Sequence, residues 1–346
     1  MGGTVGVSSS GRCALSRGKC VALCASPGPV ARDHRGTFFR VPLDVGLVGL
    51  PGSGKTSLFT ALTGVSGDAY GKEHVGIALI PDERLAPVAA IESSAKTTPA
   101  TIRVVDPPGL SPAVLGELRK SDALIAVIGN FGSDSDPERD KQELELELVV
   151  ADRDHVEKRL DRVRSQAKSG DPNLRKEAGE LERVLAHVEG GNPLSSYPGT
   201  LPGDLEPLTT KPLIHLVNGT DGFDLKLEAE LAELSVEDAA EFRDGPASFE
   251  AVLAGVFEAV GLIVFFTAGD TETRAWTLRR GQTALEAAAT IHTDIARGFI
   301  RCEVIGWRDL VEAGSRAEVA RRGLQRLEGK DYVVADGDVL NVRFNV

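Results

Sequence analysis

Gly49-Leu50-Pro51-Gly52-Ser53-Gly54-Lys55-Thr56 follows directly on the apolar run Val45-Gly46-Leu47-Val48. A strand, a glycine-rich turn and a helix opening on Lys-Thr-Ser together spell G-x-x-x-x-G-K-[ST], in the context where that pattern cradles phosphates. Gly52 and Gly54 allow the backbone to turn its N–H groups inward, towards a polyphosphate at the N-terminus of the following helix. Pro51 through Ser57 are therefore the candidate nucleotide-binding loop. Lys55 is expected to reach the β- and γ-phosphates and to be catalytic, and the Thr56 hydroxyl to ligate Mg²⁺.

The rest of the chain is consistent with such a site. It has 346 residues, 42% hydrophobic and 26% charged, enough for two or three domains of ordinary globular composition. No apolar run is long enough to span a bilayer, so no membrane partner is expected. The net charge is −12. Residues 1–40 carry six Lys/Arg and one acid, which leaves 33 bases against 50 acids in the remainder, while residues 264–346 hold 12 of each. The excess acid thus lies in 41–263, which argues against DNA and leaves RNA only a local basic patch. Cys13, Cys20 and Cys24 lie in the first forty residues and Cys302 in the body. Their spacing fits no zinc pattern, and a reducing cytoplasm is expected. Residues 1–40 are expected to be disordered or an over-extended start of the reading frame.

Along the chain, Thr101-Ile102-Arg103-Val104-Val105 predicts a strand that delivers Asp106-Pro107-Pro108-Gly109-Leu110, a D-x-x-G pattern. Asp106 is expected to act on Mg²⁺ through water and the Gly109 N–H to face the γ-phosphate. Ala123 to Ile128 reads as a third strand, and Pro212 to Val217 as a fourth ending at Asn218-Gly219-Thr220-Asp221. In that N-x-x-D pattern Asn218 is expected to brace the loops and Asp221 to accept two N–H bonds from a guanine edge, which gives purine selectivity. Residues 65–76 read as a polar, glycine-rich loop. Between the third and fourth strands Val149, Val156, Leu160, Val163 and Ala167 form one helical stripe, and Leu174, Ala178, Leu181, Leu185 and Val188 another. Ser169-Gly170-Asp171-Pro172-Asn173 separates the stripes, predicting an antiparallel coiled-coil hairpin over 137–205.

The last eighty residues read as a separate unit. Thr283-Ala284-Leu285-Glu286 is a capping box for a helix running to about His292. Strands are predicted at Ala275–Leu278, Phe299–Val304, Asp331–Val334 and Val339–Phe344, with a turn at Ala335–Asp338. One helix on a small mixed sheet is a β-grasp arrangement. The basic residues Arg316, Arg321, Arg322, Arg326 and Lys330 cluster here, and a helix would place Arg321, Arg322 and Arg326 on one side.

With these pieces in order the chain resembles the YchF subfamily of Obg-like ATPases, ribosome-binding proteins of the translation-factor class of P-loop NTPases. The resemblance covers about residues 44–346. It is densest in Phe266-Thr267-Ala268-Gly269, Arg274-Ala275-Trp276-Thr277, Ile291-His292-Thr293-Asp294, Gly298-Phe299-Ile300-Arg301, Leu327 to Tyr332 and Phe344-Asn345-Val346. It implies an α/β Obg-type P-loop domain (41–136 and 206–263), the helical arm (137–205) and a TGS-like β-grasp domain (264–346). It also implies ATP bound in preference to GTP, with Mg²⁺, and slow hydrolysis on the ribosome; for this chain either ATP or GTP is expected as ligand, the basic patch or the arm as the ribosomal contact, and a monomer. Leu110 stands where glutamine-dependent GTPases carry their water-positioning residue, and this family is likewise hydrophobic there. The chain differs from the family in several places. Gly52 replaces the Asn tied to potassium use, no Thr occurs between Thr63 and Thr97 to serve as the switch I threonine expected near Tyr70, and the switch II tract shrinks to Ser111–Lys120. Asp221 replaces Glu, and Asp224-Leu225-Lys226 stands for Ser-Ala-Lys. Two other readings stay open from the sequence: a nucleotide-dependent adaptor that no longer turns over, and a small-molecule kinase.

Overall fold

The computed structural model describes residues 43–65, 74–109, 112–219, 222–234, 236–242 and 248–345. The N-terminal extension with Cys13, Cys20 and Cys24, and the candidate residues Tyr70, Leu110 and Asp221, lie outside these.

The strands in chain order are β1 (Leu43–Val48), β2 (His74–Ile80), β3 (Lys96–Thr98), β4 (Ala100–Asp106), β5 (Ala123–Asn130), β6 (Leu213–Gly219), β7 (Leu262–Ala268), β8 (Glu272–Arg279), β9 (Phe299–Gly306), β10 (Arg326–Glu328) and β11 (Asp338–Phe344). They form two sheets, β2-β4-β1-β5-β6 and β10-β9-β11-β7-β8-β3. In the first sheet β4, β1, β5 and β6 are parallel, and only the edge strand β2 runs antiparallel. Strand β1 is buried at every residue, as a central parallel strand covered on both faces must be, and its sequence is correspondingly apolar. The sequence reading missed β2 altogether, taking residues 65–76 as loop and giving no strand to 77–80. Gly71 and Gly76 break the pattern there, and β2 is recognisable only from the alternation of buried Ala78 and Ile80 with exposed Val75, Ile77 and Leu79.

Helix α1 (Lys55–Thr63) follows β1, and Gly64 at φ 65° ends it by donating its N–H to Thr60 O. Helix α2 (Leu85–Glu92) and helix α3 (Pro112–Leu118) flank β4 in sequence. The arm is a pair of helices, α4 (Pro137–Ala167) and α5 (Pro172–Glu189). Each begins Asp-Pro, with Asp136 and Asp171 accepting first-turn N–H bonds and proline at the first helical position. Val149, Val156, Leu160 and Val163 pack on Ala178, Leu181, Val184 and Val188, and the returning segment adds Leu194 and Leu205. Thirty-one residues make α4 about 46 Å long.

At the base of the arm a buried ion pair fixes α4 to the core. Asp152, 1% exposed, accepts from Arg119 at 2.6 Å, from Leu208 N and Thr209 N at 2.9 Å each, and from Thr209 Oγ1 at 2.7 Å. Arg119 also donates to Ala151 O at 2.9 Å. Both carboxylate oxygens of Asp152 are therefore satisfied, which helps a buried ion pair to be tolerated.

Helices α6 (Leu225–Ala232), α7 (Val236–Phe242) and α8 (Ser248–Val260) lead to the second sheet. There α9 (Ala284–Ile291), opened by the reciprocal Thr283–Glu286 capping box, crosses the strands and is followed by α10 (Thr293–Arg297). Two further helices, α11 (Trp307–Ala313) and α12 (Arg316–Arg321), follow β9. Three expectations change here. The C-terminal sheet begins with β7 at Leu262, two residues before the predicted boundary. Asp331–Val334 is not a strand and makes only the isolated Thr283–Val333 bridge, while the short strand on that edge is β10. Arg321, Arg322 and Arg326 do not share one helix, because α12 ends at Arg321, Gly323 turns at φ 68° and Arg326 lies on β10.

The two sheets share one core. Leu85, Val88, Val252, Leu253 and Val256 pack in the same cluster as Val264, Phe266, Ile305, Leu310, Val319 and Val339. β3, from the first half of the chain, pairs in parallel with β8. Around this seam Ala95 N donates to Asp270 O at 2.8 Å, Arg84 bridges Asp82 and Asp336, and Arg279 pairs with Asp122 at 3.0 Å. Arg316, expected in the basic patch, is partly buried in the seam and donates to Glu92 at 2.7 Å and to Ala268 O at 3.0 Å.

Candidate nucleotide-binding site

The P-loop connects β1 to α1 at the carboxyl ends of the parallel strands, where open α/β sheets bind ligands. Its glycines are dictated by close neighbours as well as by the turn. Gly49, Gly52 and Gly54 have φ of 157°, 81° and 101°. A Cβ on Gly49 would meet Val127 O at 2.4 Å, and one on Gly54 would meet Asn218 Nδ2 at 2.1 Å. Gly54 caps α1 without a side-chain bond, so the first-turn N–H groups stay available to an anion. Pro51 and Gly52 are exposed at the rim, and Ser53 is buried.

Lys55 Nζ folds back on the loop, 2.6 Å from Gly49 O and 3.4 Å from Leu50 O. Burial pushes the ammonium pKa down from its ordinary range, while Asp106, at the end of β4, and Glu147, on α4, pull it up. The Thr56 hydroxyl donates to Asp106 Oδ2 at 2.9 Å, so β1 and β4, neighbours in the sheet, bring hydroxyl and carboxylate together from positions fifty residues apart. Both are hard oxygen donors, the chemistry Mg²⁺ takes, and Asp106 is 3% exposed. Among the described residues no three His, Cys, Asp or Glu converge on a metal position, so an ion here would need phosphate to complete its sphere. Gly109, at φ 85° with open space around it, follows Asp106 on the loop leaving β4.

Asn218 joins the fourth predicted strand to this loop. Its Nδ2 donates to Ser53 O at 2.9 Å and its Oδ1 accepts from Leu225 N at 3.1 Å, bracing the P-loop against the start of α6. Gly219 lies at φ 143°, where a Cβ would meet Asn130 O at 2.0 Å, so no side chain fits at this position. The P-loop is thus joined to Asp106 through Thr56 and to Asn218 through Ser53, with Gly109 three residues beyond Asp106. Sequence reasoning missed two groups beside this site. His74 lies across from Asp106 at the head of β2, and Glu147 approaches from the arm. A cavity of about 560 Å³ at the base of the arm, among Leu146, Val149, Leu208 and His215, includes no P-loop residue. Among the described residues no helix is long and apolar enough to cross a membrane.

Comparison with known proteins agrees with this geometry. The family model YchF-GTPase_C, described as a protein of unknown function (DUF933), matches residues 262–345. The chain is 32% identical to the ribosome-binding ATPase YchF of Bacillus subtilis, covering 88% of this chain and 100% of that one. It is 33% identical to the ribosome-binding ATPase YchF of Haemophilus influenzae, over 87% of this chain and 99% of the other. The solved structure of the Schizosaccharomyces pombe YchF GTPase has the same fold, with a TM-score of 0.71 at 24% identity, covering 87% of this chain and 97% of that one. An Obg-type P-loop domain that carries a helical arm and ends in this C-terminal sheet, joined to these identities over nearly the whole length of both relatives, makes the chain a member of the YchF subfamily of Obg-like ATPases.

Proposed function

We propose that the chain binds ATP or GTP with Mg²⁺ at the P-loop, hydrolyses it slowly, and associates with the ribosome in the cytoplasm as a monomer. The observation that carries this reading is the Thr56–Asp106 contact beneath the open N-terminus of α1, two oxygen donors preset at the place where a β,γ-bound ion would stand. Lys55 would leave the loop carbonyls for the phosphates, exchanging neutral acceptors for charged ones. Pro51 to Ser57 and the Gly109 N–H would surround the triphosphate, Thr56 would ligate the ion and Asp106 would act on it through water. Mg²⁺ would supply charge neutralisation on the transferred phosphoryl group. In the sequence Leu110 stands at the position where glutamine-dependent GTPases carry their water-positioning residue, which suits a low rate. Gly52 offers no side-chain oxygen to potassium, and none is expected to be required.

Base selection would fall to Asp221. Gly219 lends no side chain to cover the base, so ATP and GTP should bind within about 1.4 kcal/mol of each other, a tenfold ratio. Calorimetry finding a hundredfold preference would contradict this pocket. The ribosomal contact is proposed at Arg321, Arg322, Arg326 and Lys330, exposed on the C-terminal domain, with Arg316 committed to the seam. Reversing Arg321, Arg322 and Arg326 to Glu should weaken ribosome cosedimentation and flatten its salt dependence, since fewer phosphate contacts release fewer counterions. An unchanged salt series would shift the contact to the arm. The overall reading is tested by measuring ATP and GTP affinity with and without Mg²⁺, then turnover with and without ribosomes, against Lys55→Ala. Phosphate release no higher than in that control would leave an adaptor that binds without turnover.

A further inference from the structure

His74 is the first residue of β2 and stands directly opposite Asp106 in the antiparallel register. Its Nδ1 lies 3.5 Å from Asp106 Oδ2, the same oxygen that accepts the Thr56 hydroxyl at 2.9 Å. The ring leans on Phe59, centroid to centroid 5.7 Å, and the side chain is 17% exposed. Both ring nitrogens are buried, and among the described residues neither has a hydrogen-bond partner.

An imidazole desolvated without a partner is costly, so it is normally satisfied by a protein group, a water or a ligand. Here the first is missing among the described residues, and the ring sits beside the two oxygen donors of the metal site. The spacing is also apt. Asp106 Oδ2 lies 2.9 Å from the Thr56 hydroxyl and 3.5 Å from His74 Nδ1, so the ring nitrogen stands next to the carboxylate that meets the ion-ligating hydroxyl. Phe59 limits the tilt of the ring, and the β2–β4 ladder fixes its distance from Asp106.

We propose that His74 is a third protein group of the metal site, its imidazole nitrogen entering the coordination sphere of the divalent ion that accompanies the nucleotide, and that this shifts the site's preference from Mg²⁺ towards Mn²⁺. Mg²⁺ favours an all-oxygen octahedron and gives up water reluctantly. Nitrogen donors suit the later first-row ions, and Mn²⁺ accepts both carboxylate oxygen and imidazole. The proposal rests on the reading of the P-loop as a triphosphate site.

The test uses the full chain with Mn²⁺ and a methylene-bridged triphosphate that carries no nitrogen between its phosphates. Electron spin-echo spectroscopy of the ternary complex should show nitrogen coupling to Mn²⁺ that changes isotope on labelling histidine with ¹⁵N and disappears in His74→Asn. In competition, His74→Asn should lower the Mn²⁺:Mg²⁺ affinity ratio by about tenfold. Metal-free nucleotide affinity should not change, which separates loss of a ligand from loss of fold. A ternary complex with no histidine coupling, or with coupling that survives His74→Asn, overturns the proposal and leaves the triphosphate reading standing. Failure of the wild-type chain to form the ternary complex overturns both.

Discussion

Gly54 illustrates how tightly single positions are specified at this site. Its φ of 101° and the 2.1 Å approach of Asn218 Nδ2 to any Cβ mean that Gly54→Ala must strain the loop or break the Asn218–Ser53 bond. We expect a destabilisation of about 1–3 kcal/mol in chemical denaturation, with nucleotide affinity falling as well. Lys55→Ala should leave the fold intact and weaken triphosphate binding by about 2–4 kcal/mol, more than diphosphate, by isothermal titration. Burial pushes the Cys302 thiol pKa up to about 12 from its ordinary value near 9, and the side chain is fully buried. Between those values the unfolded chain loses the proton and the folded chain keeps it, so this residue's contribution is fully present below pH 9 and is lost as pH rises towards 12. Iodoacetamide at pH 8 should therefore label Cys302 only on unfolding, by peptide mass analysis. Lys55, Thr56, Asp106 and Asn218 were legible in the sequence because each sits in a short contiguous pattern with its own chemistry. His74 was not, since only the β2–β4 register brings it to Asp106, thirty-two residues away.

At the level of elements, the arm was the most legible part. Its two apolar stripes and the Ser169–Asn173 break correspond to α4 and α5, because helix periodicity is a local property. Leu160→Ala or Leu181→Ala, each at a fully buried position of that hairpin, should cost about 2–5 kcal/mol of local stability, read by hydrogen exchange in α4 and α5. Nucleotide affinity should barely change, as these residues touch only the arm's own cluster. Asp152→Ala should behave differently. It leaves Arg119 buried and uncompensated, at a cost of about 3–5 kcal/mol. Because Arg119 immediately follows α3, the helix after the D-x-x-G loop, this substitution should disturb exchange in both α3 and α4. No sequence pattern announces that pair, since charged residues on a long helix are normally solvated. The strands β2 and β10 and the end of α12 were misread for a related reason: their limits are set by partners distant in sequence, against weak local propensity.

Over the whole molecule, the division into units legible from motifs is softer than it looked. The core that begins around β1 continues through α2 and α8 to β7, β9 and β11, and β3 completes the outer edge of the C-terminal sheet. Scanning calorimetry should accordingly show the nucleotide-binding core and residues 262–345 melting together, and two separated transitions would contradict a shared core. Composition and motifs could not foresee this, because the residues on both sides of the seam are ordinary core residues for their own elements. The β3–β8 pairing also bears on how the protein is made. Translation supplies residues 96–98 long before residues 272–274, with 176 residues of synthesis between the first of each, roughly 9–35 s at usual elongation rates. Throughout that interval β3 lacks its partner strand and α2 lacks the part of its cover that Val264, Phe266 and Ile305 supply, so the nascent chain keeps apolar surface open until its final quarter leaves the exit tunnel.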